Sequence, residues 1–91
     1  MRSEPHYAIE AKFLTGAQIG RTVQFTWLFP DSRVQATVIG ELRQVYHVTG
    51  EVVLNLTSHE ADGADLTEFT LDDATSIIVW GAMIEPEVRP L

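Results

Sequence analysis

An alternating run that changes phase at a glycine limits this chain more than any other feature. Val23, Phe25, Trp27 and Phe29 alternate with Thr22, Gln24 and Thr26. After Pro30-Asp31-Ser32 the pattern resumes, with Val34, Ala36 and Val38 set against Arg33, Gln35 and Thr37. A period of two belongs to a half-buried strand, apolar on one face and polar on the other. Proline presets φ, and the Asp and Ser side chains bond their own backbone, so 30–32 reads as a turn. Gly40 interrupts the second run, and the next apolar residues, Leu42 and Val45, stand three apart instead of two. A glycine followed by a phase slip inside a long strand marks a bulge or a sharp bend. Such a strand can serve both sides of a small, strongly bent sheet.

The rest of the chain repeats the short-strand theme. Thr49-Gly50 reads as a turn, and Glu51 to Thr57 as a strand with Val52, Leu54 and Leu56 on one face. Ser58 to Asp65 is a polar loop with Gly63 at its tip, followed by a strand from Leu66 to Leu71. Asp72-Asp73-Ala74-Thr75 reads as a single helical turn whose carboxylates cap its amides. Ser76 to Trp80 is a last strand, apolar on both faces. Five short strands with tight turns, the second long and bent, predict a mainly β chain. The expected fold is a five-stranded, strongly bent antiparallel small barrel, in which closure removes most free edges. The first twenty residues carry two signals. Tyr7, Ile9, Ala11 and Phe13 alternate like a strand, while Ser3-Glu4-Pro5 is a helix start and Ile9-Phe13 and Phe13-Ala17 have helical spacing. We expect a short N-terminal helix within 4–15 that plugs one end of a barrel over about 19–80, with a tail over 81–91. The whole chain, 1–91, then counts as one domain.

Composition adds what must support so small a core. A chain of 91 residues buries roughly 60–65% of its unfolded surface, which leaves stability marginal. There is no cysteine, so neither a disulfide nor a thiolate metal site reinforces it, and partner chains are the expected source of help. No apolar run approaches the roughly 18 residues of a membrane span and no signal-peptide core is present, so we expect a soluble, cytoplasmic protein without membrane contact. Charge is uneven. Residues 1–43 hold five bases and four acids, a net of +1, while residues 44–91 hold one base and nine acids, a net of −8. The total of −7 repels phosphate and disfavours wholesale binding of nucleic acid, leaving Arg21, Arg33 and Arg43 as a local basic patch.

The order of these signals resembles the Sm-like and SH3-like small barrels. The residues that carry it are Ile19-Gly20-Arg21-Thr22-Val23-Gln24-Phe25, Gly40-Glu41-Leu42, Val52-Val53-Leu54-Asn55-Leu56 and the segment from Leu71 to Val79. In Sm-like chains a glycine precedes the first strand, a second glycine bends the long strand two residues before a leucine, and the last strand follows a very short turn. The resemblance covers about two-thirds of the chain and implies a ring-forming homo-oligomer that binds single-stranded RNA. The turn Tyr46-His47-Val48-Thr49-Gly50 lacks the Asp and Asn of the Sm uridine pocket, and Thr75-Ser76 stands where many Sm proteins have an arginine-glycine pair. The barrel therefore carries over and that RNA pocket does not. IGRTVQF before a barrel, with arginine outnumbering lysine five to one, also resembles small proteins of actinobacterial phages.

Candidate sites follow from the residue types. Tyr46 and His47 at a turn, with Arg43 nearby, could stack on a base, and with Arg21 and Arg33 they form the candidate RNA-contacting set. Ile78 and Trp80 fall out of phase with Ile77 and Val79, so they need a cover. The tail, the leading helix or a neighbouring subunit can supply it, and we expect an oligomer interface there. Trp27, in phase with Phe25, belongs to the core. His59, Glu60, Asp62 and Asp65 lack the spacing of a cation loop, and His6, His47 and His59 lack paired metal spacing, so no metal or other cofactor is expected. No nucleophile elbow, cysteine nucleophile, phosphate loop or H-E-x-x-H motif is present, and we expect no enzyme. The expected function is a self-assembling Sm-like barrel, a ring that binds single-stranded RNA. The alternative is an SH3-like protein-interaction or assembly module with no nucleic-acid role.

Overall fold

The computed structural model describes residues 5–58 and 65–81. Among these residues six strands form a single sheet: β1 (His6–Glu10), β2 (Thr22–Leu28), β3 (Gln35–Val48), β4 (Glu51–Thr57), β5 (Thr67–Asp72) and β6 (Ser76–Trp80). Their spatial order is β1-β6-β2-β3-β4-β5, and every neighbouring pair is antiparallel. The mainly β reading stands, with six strands where the sequence suggested five.

β3 is the long strand, and it divides its partners. Gln35 to Glu41 pair with β2, and Glu41 to Val48 pair with β4. The register shifts between Leu42 and Gln44, which leaves Arg43 as the extra residue of a bulge. That bulge is the origin of the slip between Leu42 and Val45, since one additional residue lets both face the core. Gly40 sits at the handover. A Cβ there would lie 3.2 Å from the Leu56 Cβ and 3.2 Å from the Thr57 carbonyl oxygen, so any larger residue would push β4 back by a few tenths of an ångström.

One face of every strand feeds the core. Val23 and Phe25 of β2, Leu42 of β3, Val52, Leu54 and Leu56 of β4, Leu71 of β5 and Ile77 and Val79 of β6 are buried. Aromatic rings link β2 to β5: Phe25 and Trp27 meet Phe69 with centroids 5.4 and 5.1 Å apart. Each fully buried Leu, Ile or Val contributes roughly 1.5–3 kcal/mol relative to an exposed one.

The N-terminal segment corrects the sequence reading. The helix expected within 4–15 is instead β1 followed by two single 3-10 turns, Ala11–Phe13 and Gly16–Gln18. Strand alternation prevails because Tyr7 and Ile9 pair with Val79 and Ile77 on the core face. A helix of this length gains too few hydrogen bonds to offset its nucleation cost. The chain stays on the sheet beyond β1, where the Ala11 and Lys12 amides donate to the Thr75 and Asp73 carbonyls at 2.8 and 2.9 Å. Ala11 and Leu14 are fully buried there. Thr15 and Gln18 cap the second turn reciprocally, and the buried Gln18 amide donates onward to the Tyr7 hydroxyl at 3.3 Å.

Connections match the turn chemistry. Thr49-Gly50 joins β3 to β4 with Gly50 at φ +78°, a value that favours glycine. Between β5 and β6 the Asp72 carboxylate accepts from the Ala74 amide at 3.1 Å, and Thr75 N–H donates to the Asp72 carbonyl at 3.0 Å. The single helical turn expected over 72–75 is instead a tight non-helical turn between β5 and β6, with the Asp72 carboxylate capping the Ala74 amide.

Candidate functional site

The candidate RNA-contacting residues fall into two places, Arg33 in one and the other four in the second. Arg33 belongs to the connection between β2 and β3, where it adopts φ +63° and donates its amide to the Phe29 carbonyl at 2.8 Å. Arg43 is the bulge residue, about ten residues further along an extended strand, or roughly 30 Å of chain. Its guanidinium lies 3.6 Å from the Glu41 carboxylate. Arg21 precedes β2, beside Leu42, and its guanidinium fills the space that a Cβ on Gly81 would need. Tyr46 and His47 are neighbours on β3, so their side chains leave opposite faces of the sheet. The exposed Tyr46 donates its hydroxyl to Gln44 Oε1 at 3.2 Å. His47 Nε2 lies 2.8 Å from the Leu14 carbonyl, which makes that nitrogen the donor and ties the ring to the N-terminal segment. Arg33 thus stands apart from the other four, which lie along or beside the β4-paired half of β3, and Arg43, Tyr46 and His47 each have a side-chain partner in their own chain.

Ile78 and Trp80 do face away from the core, as their phase demands, while Ile77 and Val79 are fully buried. Both are half-buried by neighbouring strands. Ile78 sits between Ala8 of β1 and Gln24 of β2. Trp80 stands opposite His6, with ring centroids 4.6 Å apart. Part of the cover comes from the leading segment, but as a strand alongside β6. β6 is therefore flanked on both sides, by β1 and by β2.

Apolar surface gathers at the far end of β2 and β3. Leu28, Phe29 and Val34 are exposed, Val34 by 55%, around a tight connection closed by the Phe29 amide donating to the Val34 carbonyl at 2.9 Å. Trp27 is half-buried at the base of this tip, against Phe29 as well as Phe69. A groove of about 340 Å³ opens beneath it, between Trp27, Leu28 and Pro30 on one side and Leu71 and Asp72 on the other.

A second groove of about 340 Å³ lies where β3 and β4 part company, lined by Val38, Ile39, Gly40, Leu56, Thr57, Ser58, Asp65, Thr67 and Phe69. Ile39 at its rim is 62% exposed. Thr57 in its wall is buried, and its Oγ1 has no hydrogen-bond partner among the described residues. The sequence marked this place only through Gly40. Nothing in EVVLNLT distinguishes a threonine that keeps its hydroxyl bond from one that loses it. Of the acidic loop weighed as a cation site, His59, Glu60 and Asp62 lie outside the described residues, and Asp65 lines this groove. Among the described residues no three His, Asp or Glu side chains assemble into a metal-binding group, and no helix is long and apolar enough to cross a membrane. Comparison with protein-family models, curated proteins and solved structures finds no match to this chain.

Proposed function

We propose that this chain is a non-enzymatic protein-binding module on a small Sm-like or SH3-like barrel, and that it has no nucleic-acid role. The observation that carries the reading is the exposed apolar tip of Leu28, Phe29 and Val34 around Trp27. Apolar side chains clustered on one projecting turn, with an arginine among them, have the composition of the fully desolvated centre of a protein interface.

Two features of the sheet support the barrel. In the series β6-β2-β3-β4-β5 the outermost strands are joined by residues 73–75 alone. Those residues span at most about 14 Å, whereas five flat strands would hold their outer members roughly 19 Å apart. Phe25 and Trp27 also reach Phe69 three strands away, so curling about the bend in β3 accounts for both.

The assignment of β1 separates this reading from the ring. In Sm-like rings the last strand pairs with a neighbouring subunit, and here its counterpart β6 already carries the chain's own β1. The outer edge of β5 has no strand partner among the described residues, which leaves self-association through β5 as the second reading.

A displayed library of random twelve-residue peptides, panned against the protein, tests the tip. Selected peptides should lose at least tenfold in affinity to the double variant Phe29→Asp, Val34→Asp, whose exposed positions let the sheet fold normally. Peptides indifferent to that variant would place the binding surface elsewhere and contradict the proposal.

A further inference from the structure

We infer that the groove beside Gly40 takes an extended segment of a protein partner as an added strand along β3. The inference rests on the reading of the chain as a protein-binding module and names how the partner is held. Between Gln35 and Gly40, β3 is paired only with β2, and its pairing with β4 begins at Glu41. The Leu42 amide donates to the Arg21 carbonyl, and the Leu42 carbonyl accepts from Gly20, so both groups turn toward the β2 side. Backbone groups alternate in direction along a strand, so those of Thr37 and Ile39 turn the other way, toward the groove. Among the described residues no strand meets them. Amides and carbonyls unpaired among the described residues, beside an apolar slot, are a template for strand addition.

The walls specify the occupant further. Val38, Leu56 and Phe69 make the groove apolar, and about 340 Å³ has room for two or three side chains of an extended peptide. The Thr57 hydroxyl lies sealed behind this wall, out of reach of an occupant, so recognition falls to the backbone and the apolar lining. Asp65 adds a carboxylate to the lining, in the half of the chain that carries a net charge of −8. The preferred segment is therefore extended, apolar at alternate positions and basic at one end. Running along β3 toward Val34, such a segment would end at the apolar tip.

Amide hydrogen exchange followed by NMR tests this in the intact chain. The probe is an eight-residue peptide of alternating valine and threonine with a lysine at each end. A second peptide of the same sequence is N-methylated at alternate amides. In the free protein at low concentration, the Thr37 and Ile39 amides should exchange quickly while Val38 and Gly40, bonded to β2, exchange slowly. Millimolar peptide should slow Thr37 and Ile39 at least tenfold, and the methylated peptide should not. Unchanged exchange at both amides overturns the inference, as does equal protection by the methylated peptide. Slow exchange at Thr37 and Ile39 in the free, dilute protein also overturns it, because the chain then fills its own groove. Protection that grows with protein concentration alone assigns the edge to a second copy and overturns it as well. None of these failures touches binding at the apolar tip, which the Phe29→Asp, Val34→Asp variant reports separately.

Discussion

Single side chains in this molecule reveal what its backbone requires. Thr57 is the clearest case: its Oγ1 is buried without a partner among the described residues, and an orphaned hydroxyl costs roughly 1–3 kcal/mol. Thr57→Val keeps the shape and removes the polar atom, so urea unfolding should show a gain of about 1 kcal/mol or more. A loss of stability would mean that the hydroxyl has a partner in solution. Gly40 predicts the opposite sign. Its absent Cβ would stand 3.2 Å from both Leu56 and the Thr57 carbonyl, so Gly40→Ala should cost about 1–3 kcal/mol as β4 is pushed away. An Ala variant as stable as the parent would show that β3 and β4 separate without strain. The pair of Arg43 and Glu41 contributes little by comparison, because at 3.6 Å, with the Arg43 side chain open to water, it is worth about 1 kcal/mol at most.

Elements show how much of the fold the residues announced. The runs read as strands at 51–57 and 76–80 coincide with β4 and β6, because their flanking turns, Thr49-Gly50 and the Asp72 cap, are chemically explicit. The phase slip after Gly40 marked the bend, and the bulge at Arg43 is its physical cause. The N-terminal segment was not legible, since a cap-like Ser-Glu-Pro and a period of two compete within ten residues. Only the presence of β6 beside it decides between them, and that contact joins residues some seventy positions apart. The candidate site was less legible still. Arg33 and Arg43 look alike in sequence, and the extended course of β3 sets them far apart. The groove beside Gly40 depends on where β4 stops pairing, which no local pattern encodes. A direct test of β1 is to remove its pairing. Ile9→Pro deletes a backbone donor and favours a kink, leaving β6 with an open edge. We expect a variant that self-associates at concentrations where the parent does not, seen as an increased sedimentation coefficient. If it stays the same size, the β6 edge is not what β1 protects.

At the scale of the whole molecule, charge and surface point the same way. A net charge of −7 repels a phosphate backbone, and among the described residues Arg33 lies far along β3 from Arg21 and Arg43. Titration of a labelled oligouridine at low salt should therefore show no saturable binding at micromolar protein; binding that falls steeply with added salt would restore the RNA reading. The exposed apolar tip and the open length of β3 are the surfaces a partner protein would use, and both lie away from the edge that β1 covers. We propose that β1 takes the place a neighbouring subunit would hold in a ring, so that the sheet works as a single copy. Light scattering behind a sizing column, at two salt concentrations, tests this most directly. The account predicts one copy of the 10.2 kDa chain at both salts. A discrete particle of roughly five to seven copies would contradict it, because such a ring needs the β6 edge that β1 occupies.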